Sequence, residues 1–150
     1  FVLLKLMYPS ADIPCIQLSL VKDLDASTHL AIGRALQALE YKNLLVIGSG
    51  FSFHNMRAFF APNTPEVQAR NRAFEDWLEE TCCDTALGEA ERSERLLHWD
   101  RAPHARFCHP REEHLLPLHV CYGLANKPSD THISATILGK QSGMFYWGTD

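Results

Sequence analysis

Leu44-Leu45-Val46-Ile47-Gly48-Ser49-Gly50-Phe51-Ser52-Phe53-His54-Asn55-Met56-Arg57 is the stretch whose reading decides the fold. Four branched residues in a row suit a strand buried on both faces, which predicts a central strand of a parallel or mixed sheet over Leu44 to Ile47. Gly48 and Gly50 let the backbone turn sharply at the strand's carboxyl end. Ligands of open α/β sheets bind at that end of the strands, so His54 is delivered where chemistry is expected. The same residues also suit a glycine turn with a hydrogen-bonded core histidine behind it. This stretch alone leaves both readings open.

Upstream, Ile13 to Leu20 alternates in part and is entered through Pro14, as a strand would be. Asp25-Ala26-Ser27-Thr28 offers cap candidates for a helix running to about Glu40, with Leu30, Ala31, Leu36 and Leu39 near one face. Strand, helix, strand makes a βαβ unit with a right-handed crossover. The expected class is therefore α/β, a central mixed or parallel sheet flanked by helices. Phe1 to Met7 suits either a helix end or a strand, and Tyr8-Pro9-Ser10 breaks it.

Downstream the pattern turns helical. Thr64 and Pro65 read as the cap and first residue of a helix whose Phe74, Trp77 and Leu78 share a core-facing side. Asp84 to Asp100 mixes Glu89, Glu91, Arg92, Glu94 and Arg95, which predicts a solvated helix. Ala102 to Phe107 reads as a loop. Pro110-Arg111-Glu112-Glu113-His114 predicts another helix start, with Leu115, Leu118 and Tyr122 on its apolar side and a kink at Pro117. Ile133 to Leu138 and Met144 to Trp147 suit short strands.

With 150 residues, 46% hydrophobic and 21% charged, the sequence suits a single domain over residues 1–150 with a real core. A net charge of −4 without a basic run excludes recruitment of nucleic acid or of an anionic membrane. No apolar run approaches a bilayer span and no secretory pattern opens the chain, so the expectation is a soluble, cytoplasmic protein. The five cysteines lack zinc-knuckle or redox spacing and are expected as reduced packing thiols. The opening Phe1-Val2-Leu3-Leu4 lies within an apolar segment, which reads as part of a longer polypeptide whose docking surface would drive self-association when exposed.

Eight histidines are the candidates for metal chemistry, four of them between His104 and His119. His109, Glu113 and His114 approach an inverted zinc-peptidase motif, but five helical steps rotate roughly 500°, leaving the imidazoles about 140° apart. Ser49 lacks the flanking glycines of a nucleophile elbow, and neither it nor Cys108 has a convincing base. His29 and His98 read as surface residues.

Three blocks, taken together, resemble a known family. Pro9-Ser10-Ala11-Asp12-Ile13-Pro14-Cys15-Ile16-Gln17-Leu18-Ser19-Leu20, then Gly48-Ser49-Gly50 with His54-Asn55-Met56-Arg57, then His109-Pro110-Arg111-Glu112-Glu113-His114-Leu115-Leu116-Pro117-Leu118 are similar to the class III extradiol ring-cleavage dioxygenases. The branch of the dihydroxyphenylalanine dioxygenases is the one most resembled. The resemblance implies an α/β domain with non-haem Fe(II), or Zn(II), at the mouth of its sheet. It places His54 at the family's active-site histidine, an acid/base in some members and a metal ligand in others. It places His114 at a metal ligand of the E-H-L-L-P block, with His109, Glu112 or Glu113 as the outer acceptor that fixes its tautomer. Two further ligand histidines and a D-H-G block of the family have no counterpart here, which implies the C-terminal portion of the catalytic domain.

The chemistry accounts for such residues. Imidazoles and a carboxylate hold Fe(II) while leaving positions open for a catechol and O2. The metal lowers the catechol's pKa, and a histidine titrating near neutrality takes and returns the second phenolic proton. The expected function is extradiol opening of a catechol ring with O2 to a semialdehyde. The alternative is a non-catalytic structural or binding fragment derived from that family.

Overall fold

The computed structural model describes residues 2–39 and 43–148. Phe1, at the start of the apolar opening, and Glu40, the expected end of the second helix, lie outside the described residues. Among the described residues, seven α-helices and one hairpin follow in chain order: α1 (Val2–Met7), α2 (Ala26–Leu36), α3 (Met56–Phe60), α4 (Pro65–Cys83), α5 (Glu89–Leu97), α6 (Ala105–Cys108), α7 (Leu116–Ala125), β1 (Thr131–Ile137) and β2 (Lys140–Tyr146).

Helix α4 is the hub, and it starts where its sequence says it should. Thr64 accepts the Val67 amide at 3.3 Å, and Pro65 opens the first turn, where its missing N–H costs nothing. Phe74 and Leu78 are fully buried, and with Leu96, Trp99, Cys108 and Leu115 they form the core. Against this core α2 and α7 cross at close range. A Cβ on Gly33 would lie 2.2 Å from the Val120 carbonyl and one on Gly123 would lie 2.4 Å from that of Leu30, so only hydrogen fits at the crossing. Asp25 caps α2 as expected, accepting the Thr28 amide at 2.8 Å.

The hairpin is antiparallel, with Ile133 opposite Met144 and Ile137 opposite Lys140. Leu138 and Gly139 both have positive φ, 50° and 76°, the backbone that a tight two-residue turn between right-twisted strands requires. Among the described residues this is the whole sheet, so the arrangement is α/β but helix-rich. The central parallel or mixed sheet is not formed: Ile13 to Leu20 and Leu44 to Ile47 carry no strand pairing. Most of their apolar side chains are exposed, Ile16 at 97% and Leu45 at 52%, while Leu20 packs against the core and Val46 is half-buried. A doubly buried strand is stable only with neighbours on both edges, and these segments have none among the described residues.

Other expectations are corrected by packing. The segment predicted as a solvated helix buries Arg92 completely in α5. Its guanidinium donates to the carbonyls of Thr81, Asp84 (2.7 Å) and Leu87 (2.9 Å) and to the Glu89 carboxylate (3.1 Å), finishing the C-terminus of α4. His29 is 1% exposed rather than superficial: Nδ1 donates to the Asp25 carbonyl at 2.6 Å and Nε2 accepts the Val21 amide at 3.2 Å. His98 is half-buried beside Glu94. Residues Ala105–Cys108 form a short helix within the predicted loop. Pro110 to His114 is a turn rather than a helix, and Pro117 sits in the first turn of α7 instead of kinking it.

Arg92→Leu should leave the Thr81, Asp84 and Leu87 carbonyls without the guanidinium donor and lower the unfolding free energy by about 3 kcal/mol. Urea unfolding of the two proteins tests this, and an unchanged midpoint would refute the capping role.

Candidate functional site

The glycine turn is built by close approach. A Cβ on Gly50 would stand 2.4 Å from the His114 carbonyl, and that same carbonyl accepts the Phe51 amide at 2.8 Å. Gly50 therefore has no room for a side chain, and its φ lies outside the left-handed region, so close approach and not backbone strain accounts for the glycine. Further along, Phe53 is fully buried, the His54 amide donates to the Cys108 carbonyl at 2.9 Å, and Asn55 Nδ2 donates to the Phe107 carbonyl at 2.7 Å. Asn55 Oδ1 also accepts the Ala58 amide and so caps α3. The backbone around His54 is thus fastened to the end of α6 and to residue 114.

These fastenings bring two imidazoles together across 60 positions of sequence. The rings of His54 and His114 stack with centroids 3.5 Å apart and planes 21° from parallel. With Glu113 they form a group whose donor atoms all lie within 4.8 Å of one another. Two imidazole nitrogens and one carboxylate oxygen are a donor set that suits Fe(II) or Zn(II). Burial lowers the pKa of His114, helped by the neighbouring His54 and opposed by Glu113, so a lone pair is available on its ring at neutral pH.

The remaining sequence candidates have other partners. His109 is fully buried and donates from Nε2 to the Ser52 carbonyl at 2.7 Å, which assigns its proton to that nitrogen. Its ring meets Trp99 edge-on and Phe74 at a tilt, and Nδ1 has no partner. Glu112 pairs with Arg106 at 2.7 Å, and Arg111 Nε lies 3.2 Å from Glu113 Oε2. Among the described residues none of the three hydrogen-bonds to the His114 ring. Cys108 is buried and its thiol is pushed up by burial, which removes it as a nucleophile. Ser52 belongs to this neighbourhood without standing out in the sequence: its carbonyl holds His109 and its hydroxyl meets Ser142 at 2.9 Å. Its partners lie 57 and 90 positions away, and no local pattern announces them.

A groove of about 980 Å³ opens beside this cluster, lined by Leu44 to Gly48, Gly50, His114, Leu118 and Cys121, with residues of β2 opposite. No helix among the described residues is long and apolar enough to cross a membrane.

Burial depresses the His109 pKa from 6.5 to about 4. The stability it carries is complete above pH 6.5 and is lost as pH falls toward 4. A glutamine amide can make the same bond to Ser52 without titrating. Relative to His109→Gln, the wild type should lose about 3 kcal/mol across that interval, read from urea unfolding at stepped pH. Parallel pH profiles would show that another group carries the acid sensitivity.

No protein-family model matches the chain. Curated proteins do. A dioxygenase of Hapsidospora irregularis, tasH, is 34% identical over 99% of the chain, and the match covers 48% of that protein. A 4,5-DOPA dioxygenase extradiol of Beta vulgaris is 38% identical over 87% of the chain and 46% of its own length. The protein of that name in Escherichia coli is 32% identical over 75% of the chain and 40% of its length. The chain spans about half the length of the curated relatives it matches. It is thus a sequence relative of the DOPA-type extradiol dioxygenases, and what it shares with them is slightly less than half of each.

Proposed function

We propose that residues 1–150 are one domain, the C-terminal portion of a metal-dependent extradiol dioxygenase that opens a catechol ring with O2 to a semialdehyde. The observation that carries this reading is the stack of His54 on His114 beside Glu113. Relatives named as extradiol dioxygenases support it, as does a donor set suited to Fe(II) or Zn(II). The uncovered apolar stretches at Ile13 to Leu20 and Leu44 to Ile47 fit a domain whose sheet is completed by further chain.

His114 is the metal ligand in this proposal, with Glu113 beside it, and His54 is the acid/base. His114 lies in the turn before α7 beside Glu113, where it would hold the ion, and His54 follows the glycine-containing segment, where it would face the substrate. Bound there, Fe(II) or Zn(II) would supply Lewis acidity toward the catechol and a template for both substrates. His114 stays neutral to donate its lone pair, and His54 takes a phenolic proton and later returns it. His109 does not touch the reacting groups; it holds Ser52, two residues before His54.

In the full-length protein, His114→Ala should lose metal and activity together. His54→Ala should keep most of its metal and lose turnover by about 10²- to 10⁴-fold. Metal analysis of each variant and spectrophotometry of the ring-opened product measure both quantities. Equal metal loss in the two variants would make His54 a ligand. The 150-residue chain itself should self-associate through its exposed apolar residues, Ile16, Leu18, Leu44 and Leu45 among them. A single monomeric species in sedimentation velocity would contradict this.

A further inference from the structure

The outer edge of β2, turned away from β1, is closed by side chains rather than by a third strand. The amides of Gln141 and Gly143 stand two positions apart and so point to the same edge. Asn71 of α4 takes the first: Oδ1 accepts the Gln141 amide at 2.7 Å, and Nδ2 donates to the Gln141 carbonyl at 3.0 Å. Ser52 takes the second: Oγ accepts the Gly143 amide at 2.8 Å and hydrogen-bonds with Ser142 Oγ at 2.9 Å. Ser52 and Ser142 are 6% and 3% exposed, so water does not compete for either hydroxyl. Glu75 of α4 is 4% exposed and stands beside the same groups. Burial pushes its carboxyl up to about 7, so in mildly acidic solution it is mostly uncharged and leaves the Gly143 amide to Ser52.

We infer that Ser52 is the positioning residue for His54, latching the backbone that carries the imidazole to the hairpin through its hydroxyl and to His109 through its carbonyl. The inference rests on the role proposed for His54, and it makes the hairpin part of that site. The three residues before His54 are held in three ways. Phe51 donates its amide to the His114 carbonyl, Phe53 is fully buried, and Ser52 is fixed at its backbone and its side chain at once. Its two attachments lead to different elements, the end of α6 and the middle of β2, so the segment can neither slide nor turn without breaking one of them. The stack allows little slack. Its ring centroids are 3.5 Å apart, and a displacement of about 1 Å in a catalytic group can cost about 10²-fold in rate. Asn71 supplies the contrast: it binds the same edge of β2 with two bonds, yet both go to Gln141 and neither reaches the His54 segment.

The stack itself is the readout and needs neither metal nor substrate, so the outcome is separable from the proposed activity. In the 150-residue chain at one mildly acidic pH, nuclear Overhauser contacts between the ring protons of His54 and His114, and the upfield shifts of those protons, report the stack. Ser52→Ala should abolish the contacts and move both sets of ring protons downfield, toward those of an exposed histidine. Asn71→Ala removes two bonds from the same edge of β2 and should lower the thermal midpoint at least as far, yet leave the ring contacts and shifts unchanged. Ser142→Ala takes one partner from the Ser52 hydroxyl without touching the His54 segment. It should move the rings in the same sense as Ser52→Ala by a smaller amount, and it decides the matter if Ser52→Ala does not fold. Unchanged ring contacts in Ser52→Ala, or unchanged shifts in Ser142→Ala where that variant decides, overturn the inference. Equal loss of the stack in Asn71→Ala overturns it as well, because anchoring of the hairpin in general, and not Ser52, would then be the cause.

Discussion

One carbonyl, that of His114, fixes the relation between the two halves of the candidate site. It accepts the Phe51 amide, and Gly50 passes so close to it that any side chain would collide. That contact brings the segment leading to His54 onto the turn that precedes α7. From there the buried Phe53, the bond from the His54 amide to Cys108 and the Asn55 cap leave the imidazole little choice but to lie against His114. The stacked pair is therefore a product of backbone geometry, and the side chains inherit their positions from it.

Much of the helical framework is legible in the sequence because its signals are local. Thr64-Pro65 begins α4 and Asp25 caps α2, each through a side chain and an amide three residues apart. The hairpin strands fall where Ile133 to Leu138 and Met144 to Trp147 suggest them, with the second beginning earlier, at Lys140. The relation of His54 to His114 has no such signal, since nothing periodic links positions 60 apart. Resemblance to a family is what links the two, and it also points to Glu113 and His109, although the five-residue step from His109 to His114 does not share a helix face.

Arg92 and His29 depart from their sequence readings for one reason, that nearby backbone satisfies a buried polar side chain. Charge spacing suggests that the α5 segment faces water, but a guanidinium with five donors can be buried where carbonyls converge, and the end of α4 with the turn after it supplies three. His29 looked superficial beside polar neighbours, yet both ring nitrogens are satisfied by nearby backbone. The central strands fail for the opposite reason. Leu44 to Ile47 has the composition of a buried strand, and composition does not say on which polypeptide segment the neighbours lie.

Ser52 stands between two ionisable side chains that burial keeps uncharged, with His109 at its carbonyl and Glu75 near its hydroxyl. Their displacements have opposite sense: one base is made harder to protonate, and one acid harder to ionise. Over the mildly acidic interval in which both are shifted, unfolding adds a proton to the imidazole and releases one from the carboxyl. The two exchanges cancel, so this part of the molecule unfolds there with almost no net proton stoichiometry. The neutrality of the buried layer is a balance between two residues on different helical segments, and a substitution at either alone turns a pH-indifferent core into a pH-responsive one.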